Sequence, residues 1–146
     1  MTKKAMVRFD KSARDAVSLG LDETRAQHLS IMPSINLLVG LQLQMGEEEK
    51  FLREEGLTIE LVRRRRDQMF PAYKPKKPEE VAFAPITLDV FDLARKLTAP
   101  RKKVTSRELL LAVFRKEGGV AAQIIIGLGK TPGSLYSKLL MQSTTS

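Results

Sequence analysis

Two stretches of this 146-residue chain decide the fold, because the second repeats the pattern of the first. Residues 34–41 read SINLLVGL, and residues 106–113, which begin 72 positions later, read SRELLLAV. Each stretch opens on a serine that can cap a helix, and each carries a leucine pair with a small residue, Gly40 or Ala112, two positions after it. This shared order indicates an internal duplication.

The match continues on both sides of these stretches. Downstream, each repeat has an apolar pair followed by a glycine that can stop a helix. Upstream, apolar residues of the first helix also match, provided that the connection from the first helix to the central stretch is longer in the first repeat. The aligned positions are residues 51–52 with 124–125, Gly56 with Gly129, Phe9 with Ile86, and Ala13 with Val90.

Apolar residues at helical spacing predict four helices in each repeat, and the alternation typical of strands is scarce, so the fold class is all-α. In the first repeat the predicted helices cover residues 9–17, 35–43, 47–55 and 59–69. Gly20 or residues 22–24 would end or interrupt the first helix, and Gly56 would stop the third. Ser34 would cap the second helix and Thr58 the fourth. In the second repeat they run from a Thr87 cap to Leu97, over 109–114 after a Thr105 or Ser106 cap, over 120–128 to a stop at Gly129, and from Pro132 through Leu140.

Prolines separate the two repeats. Pro71, Pro75, Pro78 and Pro85 lie within fifteen residues, and proline both lacks the backbone donor and restricts the residue before it, so no helix crosses residues 71–85. We therefore predict one domain, with repeat one at about residues 8–70, a basic linker at 71–85, repeat two at 86–141 and a disordered tail at 142–146.

The second repeat resembles a known family. Residues 104–113 (VTSRELLLAV), 118–125 (GGVAAQII) and 128–129 (LG) are similar to the second repeat of the Clp ATPase N-terminal domain, which typically reads V-T-S-E-H-L-L-L-A-L, then G-V-A-A-x-I-L and L-G. The resemblance covers the chain from about Phe9 to Leu140. It implies a pseudo-twofold bundle of about eight helices that docks substrates or adaptor proteins for a Clp-type AAA+ unfoldase or protease. It also implies an excised domain or a free-standing accessory protein, because no ATPase module lies in these residues.

The chain departs from the family in its four-proline basic linker, where a Gly-rich or polar connection is usual, and at one pair of positions. Some members carry two glutamates there that bind phosphorylated arginine, and this chain has Ile35 and Arg107 instead. An aliphatic side chain cannot neutralise a guanidinium and an arginine repels it, so we do not expect phosphoarginine binding.

Composition narrows the function classes. The chain has no cysteine and His28 is its single histidine, so thiolate and histidine-rich metal sites are not expected. Residues 127–131 (GLGKT) lack the earlier glycine of a phosphate-binding loop, because Ile124 stands at that position, and they follow a predicted helix rather than a strand. With no acid–base constellation, no signal segment and no apolar run that spans a membrane, we expect a cytoplasmic, monomeric, non-enzymatic protein without cofactors.

The excess positive charge is local. The net charge is +8, and a predicted basic patch supplies much of it. Three interpretations of this patch remain: a solvated helix end, a docking site for acidic proteins, or a nucleic-acid-binding surface. The absence of tryptophan disfavours the last one, because fewer side chains can stack on bases. The patch consists of Arg63, Arg64, Arg65, Arg66, Lys74, Lys76 and Lys77.

A protein-binding groove is predicted where the first helices of the two repeats approach each other. Each of its residues has core packing as the alternative. The candidates are Met6, Val7, Phe9, Leu88 and Phe91. The sequence therefore predicts a non-catalytic module that docks polypeptides, with a basic nucleic-acid-binding protein as the alternative.

Overall fold

The computed structural model describes residues 2–70 and 79–142. Within these ranges the chain forms eight helices of eight residues or more, one helix of four residues, and two short strands. The elements are α1 (Thr2–Ala5), α2 (Lys11–Ala26), β1 (Ile31–Met32), α3 (Ser34–Leu43), α4 (Glu47–Glu54), α5 (Ile59–Met69), β2 (Ala82–Phe83), α6 (Pro85–Leu97), α7 (Ser106–Arg115), α8 (Val120–Gly127) and α9 (Pro132–Met141). The predicted all-α class is confirmed.

The later helices of each repeat correspond closely. Glycine is the N-cap residue of both α4 and α8, at Gly46 and Gly119. Each of these helices is followed by a glycine in the left-handed region, Gly56 at φ +84° and Gly129 at φ +87°, a conformation that favours glycine. The predicted glycine stops are therefore confirmed, and residues 127–131 are the end of a helix and the turn after it.

In the first helices of the two repeats, the number of positions that separates equivalent residues differs from the predicted number. Thr24 at the end of α2 donates its hydroxyl to the carbonyl of Gly20, and Thr98 after α6 donates to Ala94, each at 2.8 Å. The buried residues fit the same spacing of 74 positions: Ala13, Ala16, Val17 and Gly20 in α2, and Thr87, Val90, Phe91 and Ala94 in α6. The predicted pairing of Phe9 with Ile86 and of Ala13 with Val90 is wrong, and the longer connection of the first repeat amounts to two residues.

Tertiary contacts also change where the first helices begin and end. α2 starts at Lys11 rather than at Phe9, because the Asp10 side chain accepts a hydrogen bond from Ala13 N and caps the helix. The helix runs through Gly20, where an added Cβ would lie 2.8 Å from the carbonyl oxygen of Asn36. The glycine there permits close packing of α2 on α3 and does not end the helix. α6 starts at Pro85, which the sequence placed in the linker, since proline suits the first helical position. Thr87 does not cap α6; its hydroxyl donates to the carbonyl of Met32 at 2.9 Å.

The two repeats exchange their entry segments. β2 of the second repeat pairs in parallel with β1 of the first, with Met32 opposite Phe83. Phe9 of the first repeat forms a parallel bridge with Val104 of the second, where Asp10 N donates to the Val104 carbonyl at 2.8 Å. Both pairings join one repeat to the other, so the repeats are interlocked.

The serines that begin the central helices strengthen this exchange. Ser34 is the first residue of α3, and its hydroxyl accepts a hydrogen bond from Ala121 N in the first turn of α8, at 3.2 Å. In the same way the Ser106 hydroxyl donates to Glu48 in the first turn of α4, at 2.7 Å. Each serine therefore binds the short helix of the other repeat. The prediction that Ser34 caps its own helix is wrong.

Helix α3 is the centre of the core. Its residues from Ser34 to Gln42 are all buried, and α7 is buried from Leu109 to Phe114. At the crossing of α2 and α3 the backbones touch: a Cβ at Gly40 would overlap the carbonyl oxygen of Ala16 and lie 2.9 Å from Gly20 N. The small residue that the sequence comparison identified is thus a requirement of helix packing.

Replacing Gly40 with Ala is expected to lower the free energy of unfolding by at least about 2 kcal/mol, because two backbones would have to separate. Gly133→Ala is the matched control, since nothing lies within 4 Å of a Cβ added there and the expected change is neutral or stabilising. Urea denaturation followed by circular dichroism measures both; equal stability of the two variants contradicts the packing account.

Candidate functional site

The two aromatic residues of the predicted groove, Phe9 and Phe91, lie in the core. Phe9 is 2 % exposed and Phe91 is completely buried. Their rings pack edge to face with centroids 5.3 Å apart, and the Phe83 ring also packs edge to face with Phe91 at 5.1 Å. A partner cannot contact Phe9 or Phe91 without displacing the core, so this part of the predicted groove is wrong.

The other predicted groove residues remain at the surface. Val7 is 57 % exposed, Leu88 is 40 % exposed, and Met6 is half-buried against the core. Arg95 on α6 holds this segment in place, because its guanidinium donates to the carbonyls of Ala5 at 2.9 Å and Val7 at 3.4 Å. Leu88 lies seven residues before Arg95 and so on the same face of α6, about 10 Å along the helix axis.

The arginine run does not form a continuous basic surface. Arg66 is buried, and its guanidinium donates to Glu23 on α2 at 2.5 Å and to the side-chain oxygen of Asn36 at 3.2 Å. Arg63 forms two further hydrogen bonds with Glu23, at 2.8 and 3.0 Å. Two of the four arginines therefore serve an internal ion-pair network. Arg64 and Arg65 are exposed, and Lys74, Lys76 and Lys77 lie outside the described residues.

The network also changes the pKa of its acid. Burial by itself raises the pKa of Glu23, but hydrogen bonds and charge interactions with Arg63 and Arg66 outweigh that effect, so the pKa lies below its ordinary value of 4.5. The hydrogen bond to Glu23 raises the pKa of Arg63 in turn. Glu23 is therefore ionised at neutral pH and stabilises the packing of α2 against α5.

An apolar groove lies in the second repeat, between the end of α7, α8 and the first turn of α9. Its open cavity has a volume of about 780 Å³. Phe114 and Ala122 form its floor, Ile126 is 59 % exposed on one side, and Tyr136 lies on the other. We call this surface, lined by Phe114, Arg115, Glu117, Ala122, Ile126, Gly133 and Tyr136, the repeat-two groove.

Known structures share this architecture. The N-terminal domain of the caseinolytic protease-associated chaperone ClpD from Arabidopsis thaliana superposes with a TM-score of 0.77 at 17% identity, over 94% of this chain and 95% of that domain. The Hsp104 N-terminal domain from Candida albicans gives 0.76 at 12% identity, over 94% of this chain and 93% of that chain. The ClpV N-domain, solved in complex with a VipB peptide, gives 0.68 at 14% identity, over 100% of this chain and 95% of that one.

This chain has the Clp N-terminal domain fold. No family model matches the sequence. The match to these structures extends through both repeats, so the duplication predicted from the sequence is the repeat of the Clp N-domain fold.

The two departures from the Clp pattern have structural roles here. Ile35 is completely buried in α3. Arg107 donates to the carbonyl of Leu139 near the end of α9, at 3.1 Å. Neither position presents an acid.

Other motifs singled out in the sequence have structural explanations. His28 occupies the left-handed region at φ +61° in the turn after α2, where its N–H donates to the Arg25 carbonyl at 2.9 Å. Within the described part of the chain, no group of three His, Cys, Asp or Glu residues could hold a metal ion. Across residues 2–70 and 79–142, no helix has the length and apolar character needed to cross a membrane.

The repeat-two groove was not predicted, although the sequence carried a signal for it. At a spacing of 73 positions, Ala122 and Ile126 of α8 correspond to Glu49 and Arg53 of α4. Glu49 and Arg53 form an ion pair at 2.9 Å. A polar face in one repeat and an apolar face in the other, at matched positions, is the difference that marks the groove.

We expect Glu23→Gln to lower the free energy of unfolding by about 2 kcal/mol, because it leaves the buried Arg66 guanidinium with only Asp67, an exposed residue, as its counter-charge. Glu49→Gln is the matched control; its partner Arg53 is exposed to solvent, so removing this acid should change stability far less than Glu23→Gln does.

The same network predicts a pH dependence. Because the pKa of Glu23 is lower in the folded chain than in the unfolded chain, its stabilisation is fully present above about pH 4.5 and is lost as the pH falls through the folded-state pKa. Urea denaturation from neutral pH to about pH 3 should therefore show a smaller loss of stability in Glu23→Gln than in the wild type. Parallel pH profiles for the two proteins contradict this account.

Proposed function

We propose that this chain is a non-catalytic protein-binding module that docks substrate or adaptor polypeptides for a Clp-type AAA+ unfoldase or protease, as an excised N-terminal domain or a free-standing accessory protein. The observation that supports this most directly is the match to the ClpV N-domain, which was solved with a bound peptide, over the whole chain. We also propose the division into repeats at about residues 8–70 and 86–141, and a cytoplasmic location.

The surface proposed for docking is the edge formed by Met6, Val7 and Leu88. Two exposed aliphatic side chains at this edge offer a partner apolar contacts. Phe9 and Phe91 are buried in the core next to it, so they do not contact the partner. We call the exposed surface of Met6, Val7 and Leu88 the entry-segment surface.

The proposed mechanism is reversible docking without chemistry. A small surface of exposed aliphatic side chains gives modest affinity, because specific and stable interfaces usually bury more than about 1,000 Å². Modest affinity suits a module that must release a polypeptide to a motor.

Two observations weaken the alternative of nucleic-acid binding. Arg63 and Arg66 form ion pairs with Glu23, and Arg66 also pairs with Asp67, so two carboxylates of the chain already compensate these two charges. Arg65 lies over α8, since a Cβ at Gly127 would be 2.9 Å from its Nε. Within the described residues, Arg64 is the one arginine of the run that is exposed and forms no hydrogen bond or ion pair.

Fluorescence anisotropy with labelled casein, a largely unfolded polypeptide, tests this proposal. We expect saturable binding by the wild type and at least about tenfold weaker binding by a Val7→Asp, Leu88→Asp double variant, because charge at exposed apolar positions opposes docking without disturbing the core. Met45→Asp is the matched control, since Met45 is 74 % exposed elsewhere and aspartate tolerates its left-handed backbone at φ +57°.

Two results contradict the proposal: casein fails to bind, or the double variant binds as tightly as the wild type. A labelled duplex oligonucleotide provides the second arm of the experiment. Tight oligonucleotide binding that falls steeply with salt favours the nucleic-acid alternative.

A further inference from the structure

We propose that the repeat-two groove is a second docking site, which binds a partner segment carrying an apolar side chain next to carboxylates. This inference rests on the proposed function, because it names a further site and a partner chemistry for the same polypeptide-docking module. The site lies on α7, α8 and α9, whereas the entry-segment surface lies on the segment around Met6 and on α6.

The lining of the groove favours an apolar side chain. Phe114 and Ala122 form a floor that is almost inaccessible to solvent, and Ile126 and Tyr136 flank it. Pro132 and Gly133 bring the first turn of α9 to the rim, and a Cβ added at Gly133 would meet nothing within 4 Å. The groove is therefore open toward a partner along α9.

Comparison of the two repeats indicates that this opening is specific to the second. In the first repeat, Arg53 lies across the equivalent face of α4 in an ion pair with Glu49. In the second repeat the equivalent residues are Ile126 and Ala122, which are apolar and shorter than this pair. One repeat covers this face with its own charged side chains, and the other leaves an apolar face at the surface.

The charges at the rim select an acidic partner. The Arg115 guanidinium lies 5.2 Å from the centre of the Tyr136 ring and donates to the Tyr136 hydroxyl at 3.2 Å. None of the described carboxylates pairs with Arg115, and a guanidinium stacked on a ring keeps N–H groups at its edge for a carboxylate. Lys116, the second cation of the rim, pairs with Asp89 at 3.4 Å.

Glu117 sets the orientation of the segment. It is exposed on the rim and repels an acid placed beside it. The carboxylates of the partner should therefore lie at Arg115 and Tyr136, with the apolar side chain over Phe114 and Ile126. The net charge of +8 on the chain adds a long-range attraction for the same class of partner.

The probe for the experiment is a short synthetic peptide in which Leu-Phe has two glutamates on one side and uncharged residues on the other. Its controls are a peptide with lysines in place of the glutamates and one with Gly-Gly in place of Leu-Phe. Binding is followed by fluorescence anisotropy and by NMR shifts of the backbone amides. We expect shifts at Phe114, Ile126 and Gly133, and at least about tenfold weaker binding of both control peptides.

Two variants close the groove in different ways. Ala122→Glu with Ile126→Arg gives α8 the ion pair that α4 already carries, and Gly133→Phe places a ring in the open space at α9. Each should weaken peptide binding at least about tenfold while thermal unfolding stays cooperative. Gln123→Arg is the matched control; it adds a charge on an exposed position of α8 outside the groove and should bind like the wild type.

The variants separate this inference from the proposed function. Closing the groove should leave casein binding to the entry-segment surface unchanged, and Val7→Asp with Leu88→Asp should leave peptide binding unchanged. The inference is overturned if the peptide shifts only amides around Val7 and Leu88, if the Gly-Gly peptide binds equally well, or if both groove variants bind like the wild type. Peptide binding without casein binding supports the groove and contradicts the entry-segment proposal.

Discussion

The fold depends on an exchange of entry segments between the two repeats. Ala84 N donates to the Met32 carbonyl at 3.1 Å, and at the equivalent place Asp10 N donates to the Val104 carbonyl at 2.8 Å. In both cases a segment that precedes the first helix of one repeat pairs with the residue that precedes the central helix of the other. Neither repeat can satisfy these backbone groups by itself, and an unpaired buried backbone group is costly.

The two repeats make equivalent contacts with each other in the interior of the molecule, whereas their surfaces differ. Ser34 and Ser106 each bind the short helix of the other repeat, so the centre of the molecule follows the duplication closely. Outside the core the repeats differ. The first carries the Glu23 network and the ion pair of Glu49 with Arg53, and the second carries an apolar groove at the equivalent face of α8. A symmetric interior therefore supports an asymmetric surface, and recognition can be confined to one repeat.

Features of the sequence that act locally predicted most of the fold. Left-handed glycines at Gly56 and Gly129 ended the helices as expected, and Thr58 caps α5 by accepting a hydrogen bond from Leu61 N. The extent of α2 could not be predicted this way, because Gly20 is set by the approach of α3 and not by local propensity.

The candidate site was harder to predict than the fold. Helical periodicity places Phe9 and Phe91 on an inner face, but it cannot distinguish a groove from a core that the other repeat closes. The acid that neutralises Arg63 and Arg66 lies about forty residues away, so the run alone looked like a basic surface. The sequence signal for the repeat-two groove is the contrast between the charged pair of α4, Glu49 with Arg53, and its apolar equivalents in α8.

The central claim is that the repeats fold as one interlocked body. Circular dichroism of the chain cut within residues 71–78, with each half measured alone and the two halves then mixed in equal amounts, tests it most directly. The exchange of entry segments predicts that each half alone has little helix and that the mixture recovers the helical signal and a single cooperative transition. Two halves that each fold cooperatively in isolation, with no change on mixing, contradict it.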